Sequence, residues 1–208
     1  MERINIDSWE RGELYRFYQQ SSHPFYSVCF RQDVTGLYTR CKENGWPVYL
    51  TMIHEVTRAV NGLKAFRYGY ENGSVVLYDH RDPSFTDMPK GSSQFRILTV
   101  PWHRDADVWR ARALEKREKQ TVFLDESAEG ANLIFISCLP WLDLTGMTNE
   151  RNFDRNDAVP RISWGKFVRD GNRLVCGMAV EVHHGYIDGK DIGELHGILE
   201  ERTGRISE

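Results

Sequence analysis

Val180-Glu181-Val182-His183-His184-Gly185-Tyr186-Ile187-Asp188-Gly189 is the stretch on which the reading of this chain turns. Its first half continues an apolar run that starts after the turn Asp170-Gly171-Asn172, and the pattern predicts a strand from Arg173 to His184. Its second half leads into Asp191 to Arg202, where Ile192, Leu195 and Leu199 keep helical spacing. Side chains alternate along a strand, so Met178, Val180, Val182 and His184 share one face, and Ala179, Glu181 and His183 share the other. His184 therefore ends an apolar stripe. Loss of solvation there favours neutral imidazole, a good general base at neutral pH. Asp188-Gly189 reads as an ordinary turn, in which Asp188 or Asp191 caps the last helix. No metal is expected, because adjacent strand residues point apart and no third ligand is evident.

Working outward, the chain mixes helices and hairpins without regular βαβ alternation. Asp7 and Glu10 are spaced as a capping box ahead of a helix presenting Leu14, Phe17 and Tyr18 on one face. Phe25 to Arg31 reads as a strand. Asp33 heads a short helix with Val34, Leu37, Tyr38 and Cys41, and Pro47 opens a longer one carrying Tyr49, Ile53, Val56 and Val60. Asn72-Gly73 marks a hairpin between Ala65–Tyr70 and Ser74–Tyr78. Strands are expected at Gln94–Val100, Asn132–Cys138 and Arg161–Val168, with a charged helix over Ala106–Lys119. The order suggests an α+β or mixed-sheet α/β sandwich, with residues 1–208 forming a single domain.

Composition narrows the partners. Lys and Arg total 27 against 30 Asp and Glu, a net charge of −3, which argues against nucleic acid. No apolar stretch approaches the ~18 residues of a membrane span. The start, Met1-Glu2-Arg3-Ile4-Asn5, lacks the apolar core of a signal peptide, so a cytoplasmic location is expected. Cys29, Cys138 and Cys176 sit in apolar runs and are expected to be buried free thiols.

The HHxxxDG pattern of residues 183–189 resembles the signature of the chloramphenicol acetyltransferase family. Four further stretches resemble that family in order and spacing: Trp9-Glu10-Arg11, Asp82-Pro83-Ser84-Phe85-Thr86, Phe135-Ile136-Ser137-Cys138-Leu139-Pro140-Trp141 and Ile162-Ser163-Trp164-Gly165-Lys166. The resemblance implies an α/β, mixed-sheet two-layer sandwich and a homotrimer with active sites between subunits. It implies transfer of acetyl from acetyl-CoA to a hydroxyl of a small-molecule acceptor, with chloramphenicol first and antibiotic resistance the associated role.

In that scheme His184 is the general base and Ser137 the oxyanion donor. Asp188 pairs with Arg11 to support the histidine. Ser163, Lys166 and Trp141 serve acetyl-CoA, Ser163 by holding a water. Tyr18 walls the acceptor pocket, and Tyr18 and Ser137 are expected from the neighbour of the subunit supplying His184. The chain also departs from the family. Val48-Tyr49-Leu50 replaces F-Y-P, Pro47 stands where a phosphate-binding lysine is usual, and Lys190-Asp191 replaces Phe-His. Gly185-Tyr186-Ile187 replaces smaller loop residues. These departures put the identity of the acceptor in question; the alternatives are an acyltransferase of the same fold acting on a different acceptor, and a non-catalytic trimer binding acyl-CoA or a small molecule.

Overall fold

The computed structural model describes residues 1–152 and 154–204. In chain order the elements are β1 (Glu2–Arg3), α1 (Gly12–Gln19), β2 (Phe25–Asp33), α2 (Thr35–Asn44), α3 (Val48–Gly62), β3 (Tyr68–Glu71), β4 (Ser74–Leu77), β5 (Asp82–Asp87) and β6 (Arg96–Thr99). There follow α4 (Ala106–Lys119), β7 (Leu133–Leu139), β8 (Arg161–Gly165), β9 (Val168–Asp170), β10 (Arg173–His183) and α5 (Gly189–Thr203).

The main sheet runs β2-β10-β8-β7-β5-β6, with β9 also paired to β10. β7 is parallel to both β5 and β8, whereas β10 is antiparallel to β2, β8 and β9, so the sheet is mixed. One face carries Phe85, Ile134, Ile136, Ile162, Trp164, Met178, Val180 and Val182. These pack with Leu37, Ile53, Val56, Val60, Leu195 and Leu199 of the helices into one apolar core. That is the two-layer α/β sandwich expected. Burial of this contiguous apolar surface is the main favourable term holding the layers together.

The opposite face carries charged side chains among apolar ones. Glu181, buried within β10, receives Arg151 Nε at 2.5 Å and the backbone N–H of Asn149 at 2.8 Å. Asp157 in turn holds both Arg151 and Arg161, at 2.9 and 2.8 Å. This network fastens the loop before β8 across the sheet. A small three-stranded sheet, β1-β4-β3, sits apart, its hairpin turning on Asn72 (φ 50°) and Gly73 (φ 76°) as the Asn-Gly pair requires.

Four expectations need correction. The capping box at Asp7 does not form; α1 starts at Gly12 with Arg11 at its N-cap and no side-chain cap. The backbone curls so that a Cβ on Gly12, the first residue of the helix, would lie 2.1 Å from the Ile6 carbonyl oxygen. The buried side of α1 is Tyr15, against Trp9 and Tyr186, while Leu14 and Phe17 face outward at 39% and 67% exposure. Arg161–Val168 is two strands, since β8 stops at Gly165 where Leu142 takes the next backbone N–H, that of Lys166. Cys29 is exposed and Cys138 half-buried, because Cys29 falls on the face of edge strand β2 opposite the core; Cys176 is buried as expected.

Candidate active site

β10 ends at His183, and the backbone N–H of His184 continues the ladder to the Pro24 carbonyl at 2.8 Å. This pairing with the start of β2 brings Tyr26 to one face of the His184 ring, with centroids 4.2 Å apart and planes tilted 35°. Tyr18, from the last turn of α1, stacks at 4.2 Å and 28°. Two phenol rings therefore hold one half-buried imidazole. The Tyr18 hydroxyl lies 3.5 Å from His184 Nε2. Burial lowers the His184 pKa below its ordinary value; Asp188 opposes this and Arg11 adds to it.

His183 has the opposite character. It is 2% exposed, its Nε2–H donates to the Arg155 carbonyl at 2.9 Å, and its Nδ1 accepts the Gly185 N–H at 3.0 Å. Burial pushes its pKa down to about 4, so it is neutral with both nitrogens engaged. Of the two histidines only His184 has the setting of a base.

Asp188 caps α5 and also pairs with Arg11. Its Oδ2 accepts Arg11 Nη1 at 3.0 Å, and its Oδ1 accepts the Lys190 and Asp191 N–H groups, capping α5. The Asp191 carboxylate returns a bond to the Asp188 N–H and completes a capping box. Burial raises the Asp188 pKa, but Arg11 and the two backbone donors outweigh it, and the net shift is downward. The side chains are 15% and 37% exposed, so the pair is partly solvated rather than fully buried.

A second group lies elsewhere on the sheet. Ser137 on β7 is half-buried, its Oγ 3.5 Å from Thr86 Oγ1 on β5. Beside it in register is Ser163 on β8, 1% exposed and without a hydrogen-bond partner for its hydroxyl among the described residues. Trp141 and Lys166 follow the ends of these two parallel strands, where the Lys166 N–H meets the Leu142 carbonyl at 2.7 Å. Trp141 is 70% exposed and Lys166 is also exposed, so neither is a packed core residue.

The two groups do not meet within one chain. Ser137 registers with Ser163, and Ser163 with Ala179, five residues before His184. Two strand spacings and that run along β10 put Ser137 and His184 on the order of 15–20 Å apart. Tyr18 sits with His184 and not with Ser137, which corrects the expectation that Tyr18 lies across a subunit boundary from the histidine. Two surface clefts, one bounded by Met1, Glu71 and His80 and the other by Tyr70, Arg81 and Asp157, do not include His184. Tyr26 escaped the sequence reading, and Thr86 entered it only within the Asp82–Thr86 stretch; the neighbours of each are set by a strand register that no local pattern announces.

A family model described as chloramphenicol acetyltransferase matches residues 1–199. A chloramphenicol acetyltransferase of Staphylococcus aureus is 28% identical over 207 residues, covering 98% of this chain and 95% of that one. Chloramphenicol acetyltransferase 2 of Escherichia coli is 27% identical over 190 residues, covering 90% and 89%. A solved chloramphenicol acetyltransferase superposes with a TM-score of 0.90 at 29% identity, covering 98% of this chain and all of the other. A probable dihydrolipoamide acetyltransferase of Listeria monocytogenes, at TM-score 0.64 and 12% identity, has the same fold.

Proposed function

The chain belongs to the chloramphenicol acetyltransferase family, and from that membership we propose that it transfers the acetyl group of acetyl-CoA to a hydroxyl of chloramphenicol. The observation that carries the proposal is the His184 imidazole, held between Tyr18 and Tyr26 with its pKa depressed. It is uncharged at neutral pH, oriented, and has Nε2 near a hydroxyl.

His184 Nε2 takes the proton of the acceptor hydroxyl as that oxygen attacks the thioester carbonyl carbon. The carbonyl π pair moves onto oxygen, and Ser137 Oγ–H donates to the oxyanion so formed. The oxyanion collapses, the carbon–sulfur bond breaks, and the thiolate of coenzyme A takes the proton from the imidazolium. The products are an acetyl ester and coenzyme A, and no acyl-enzyme is needed. Tyr18 walls the acceptor side. Arg11 and Asp188 fix the turn that follows His184. The Ser163 hydroxyl, without a partner among the described residues, suits a bound water beside Ser137. Exposed Trp141 and Lys166, which follow the ends of the two parallel strands, suit the flat and phosphorylated parts of coenzyme A.

The separation of His184 from Ser137 supports a site built by two copies of the chain, His184 and Tyr18 from one and Ser137 from the other, as in a closed homotrimer. A cytoplasmic location accords with these substrates. The test is coenzyme A release from acetyl-CoA, followed with a thiol reagent, with and without chloramphenicol. Chloramphenicol-dependent release that is lost in His184→Ala supports the proposal. Release independent of chloramphenicol, or unchanged in that variant, refutes it.

A further inference from the structure

Ser137 has one hydroxyl proton, and in the proposed reaction that proton must point at the oxyanion. Its oxygen then keeps lone pairs that can accept from another donor. Thr86 is so placed. Phe85 on β5 registers with Ile136 on β7, so Thr86 and Ser137 follow side by side on the same sheet face, their hydroxyls 3.5 Å apart. Catalytic hydrogen bonds of this length commonly tighten when substrate closes the site. Thr86 is itself fixed from the helical layer, because the Tyr49 hydroxyl donates to the Thr86 carbonyl at 2.5 Å. Burial raises the Tyr49 pKa, so that phenol stays a donor. On the other flank Ser163 completes a transverse row of three hydroxyls over β5, β7 and β8.

We infer that Thr86 is a positioning residue for the acetyl transfer: its hydroxyl donates to Ser137 Oγ and aims the Ser137 proton at the developing oxyanion. The inference rests on the proposed role of Ser137. Donation from Thr86 also polarises Ser137, since chained hydrogen bonds strengthen one another. In this role Thr86 acts through Ser137, so its removal is expected to act on the chemical step and not on binding.

The test is a double-mutant cycle in the purified full chain, with acetyl-CoA and chloramphenicol as substrates. Thr86→Val keeps the shape and loses the hydroxyl. It is expected to lower kcat roughly tenfold, a fraction of the ~10²–10³ that loss of an oxyanion donor costs. The KM for each substrate is expected to stay unchanged. Thr86→Ser restores the hydroxyl and is expected to recover kcat to within about twofold. In a Ser137→Ala background Thr86→Val is expected to change kcat less than about twofold, because the two act as one unit. An equal loss in both backgrounds would mean a merely structural role and overturns the inference. Full activity of Thr86→Val with Ser137→Ala impaired overturns the inference alone. Full activity of Ser137→Ala overturns the Ser137 assignment and the inference with it.

Discussion

Adjacent histidines with the same intrinsic chemistry are driven apart by their surroundings. His184 must be neutral to accept a proton, and its lowered pKa extends that form toward acid. The acidic limb of kcat/KM is therefore expected to have its midpoint below the ordinary 6.5 of imidazole; a midpoint at or above that value would contradict the proposed base. His183 bears on stability instead. Its folded pKa is depressed to about 4 from 6.5. The unfolded chain thus binds its proton first as pH falls, and stability is full above about 6.5 and declines toward about 4. Urea midpoints measured across that window should fall for the wild type and fall less steeply for His183→Asn. The sequence distinguished the two histidines by strand alternation alone, and that sufficed to place His184 at the end of the apolar stripe. It was blind to Tyr26, because the aromatic clamp depends on the pairing of β2 with β10, about 150 residues away along the chain.

Among the elements, the turn from β10 into α5 concentrates two functions in one carboxylate. Asp188→Asn can still accept backbone hydrogen bonds as a cap but loses its ion pair with Arg11; Asp188→Ala loses both. A cap is worth about 1 kcal/mol and a partly solvated ion pair at most about 1. Thermal or urea unfolding is expected to show Asp188→Ala down by about 1–2 kcal/mol, with Asp188→Asn between it and wild type. Equal stability of all three would remove the structural role. The face of the sheet opposite the core has its own tight point. A Cβ on Gly177 would lie 1.7 Å from the Leu144 carbonyl oxygen, a backbone atom that cannot move aside cheaply. Gly177→Ala is therefore expected to cost at least about 2 kcal/mol of unfolding free energy. α4, read from its heavily charged outer face, was legible to the residue. The short α1 was legible in position but not in facing. In eight residues the spacing cannot separate a Leu14–Phe17–Tyr18 side from a Tyr15 side, and packing against Trp9 and Tyr186 decided between them.

For the whole molecule, the mixed sheet sets His184 and Ser137 at separate places, so the proposed reaction requires two copies of the chain to bring base and oxyanion donor to one thioester. Resemblance alone carried the assembly into the sequence reading; composition and periodicity reached only the mixed α and β layers. The direct measurement is complementation between two impaired variants, His184→Ala and Ser137→Ala, each purified and then refolded together. With sites shared between neighbouring copies, random mixing leaves about a quarter of them with an intact His184 facing an intact Ser137. Chloramphenicol-dependent coenzyme A release should therefore recover to about a quarter of the wild-type rate. A mixture no more active than the sum of its two variants would contradict the shared site.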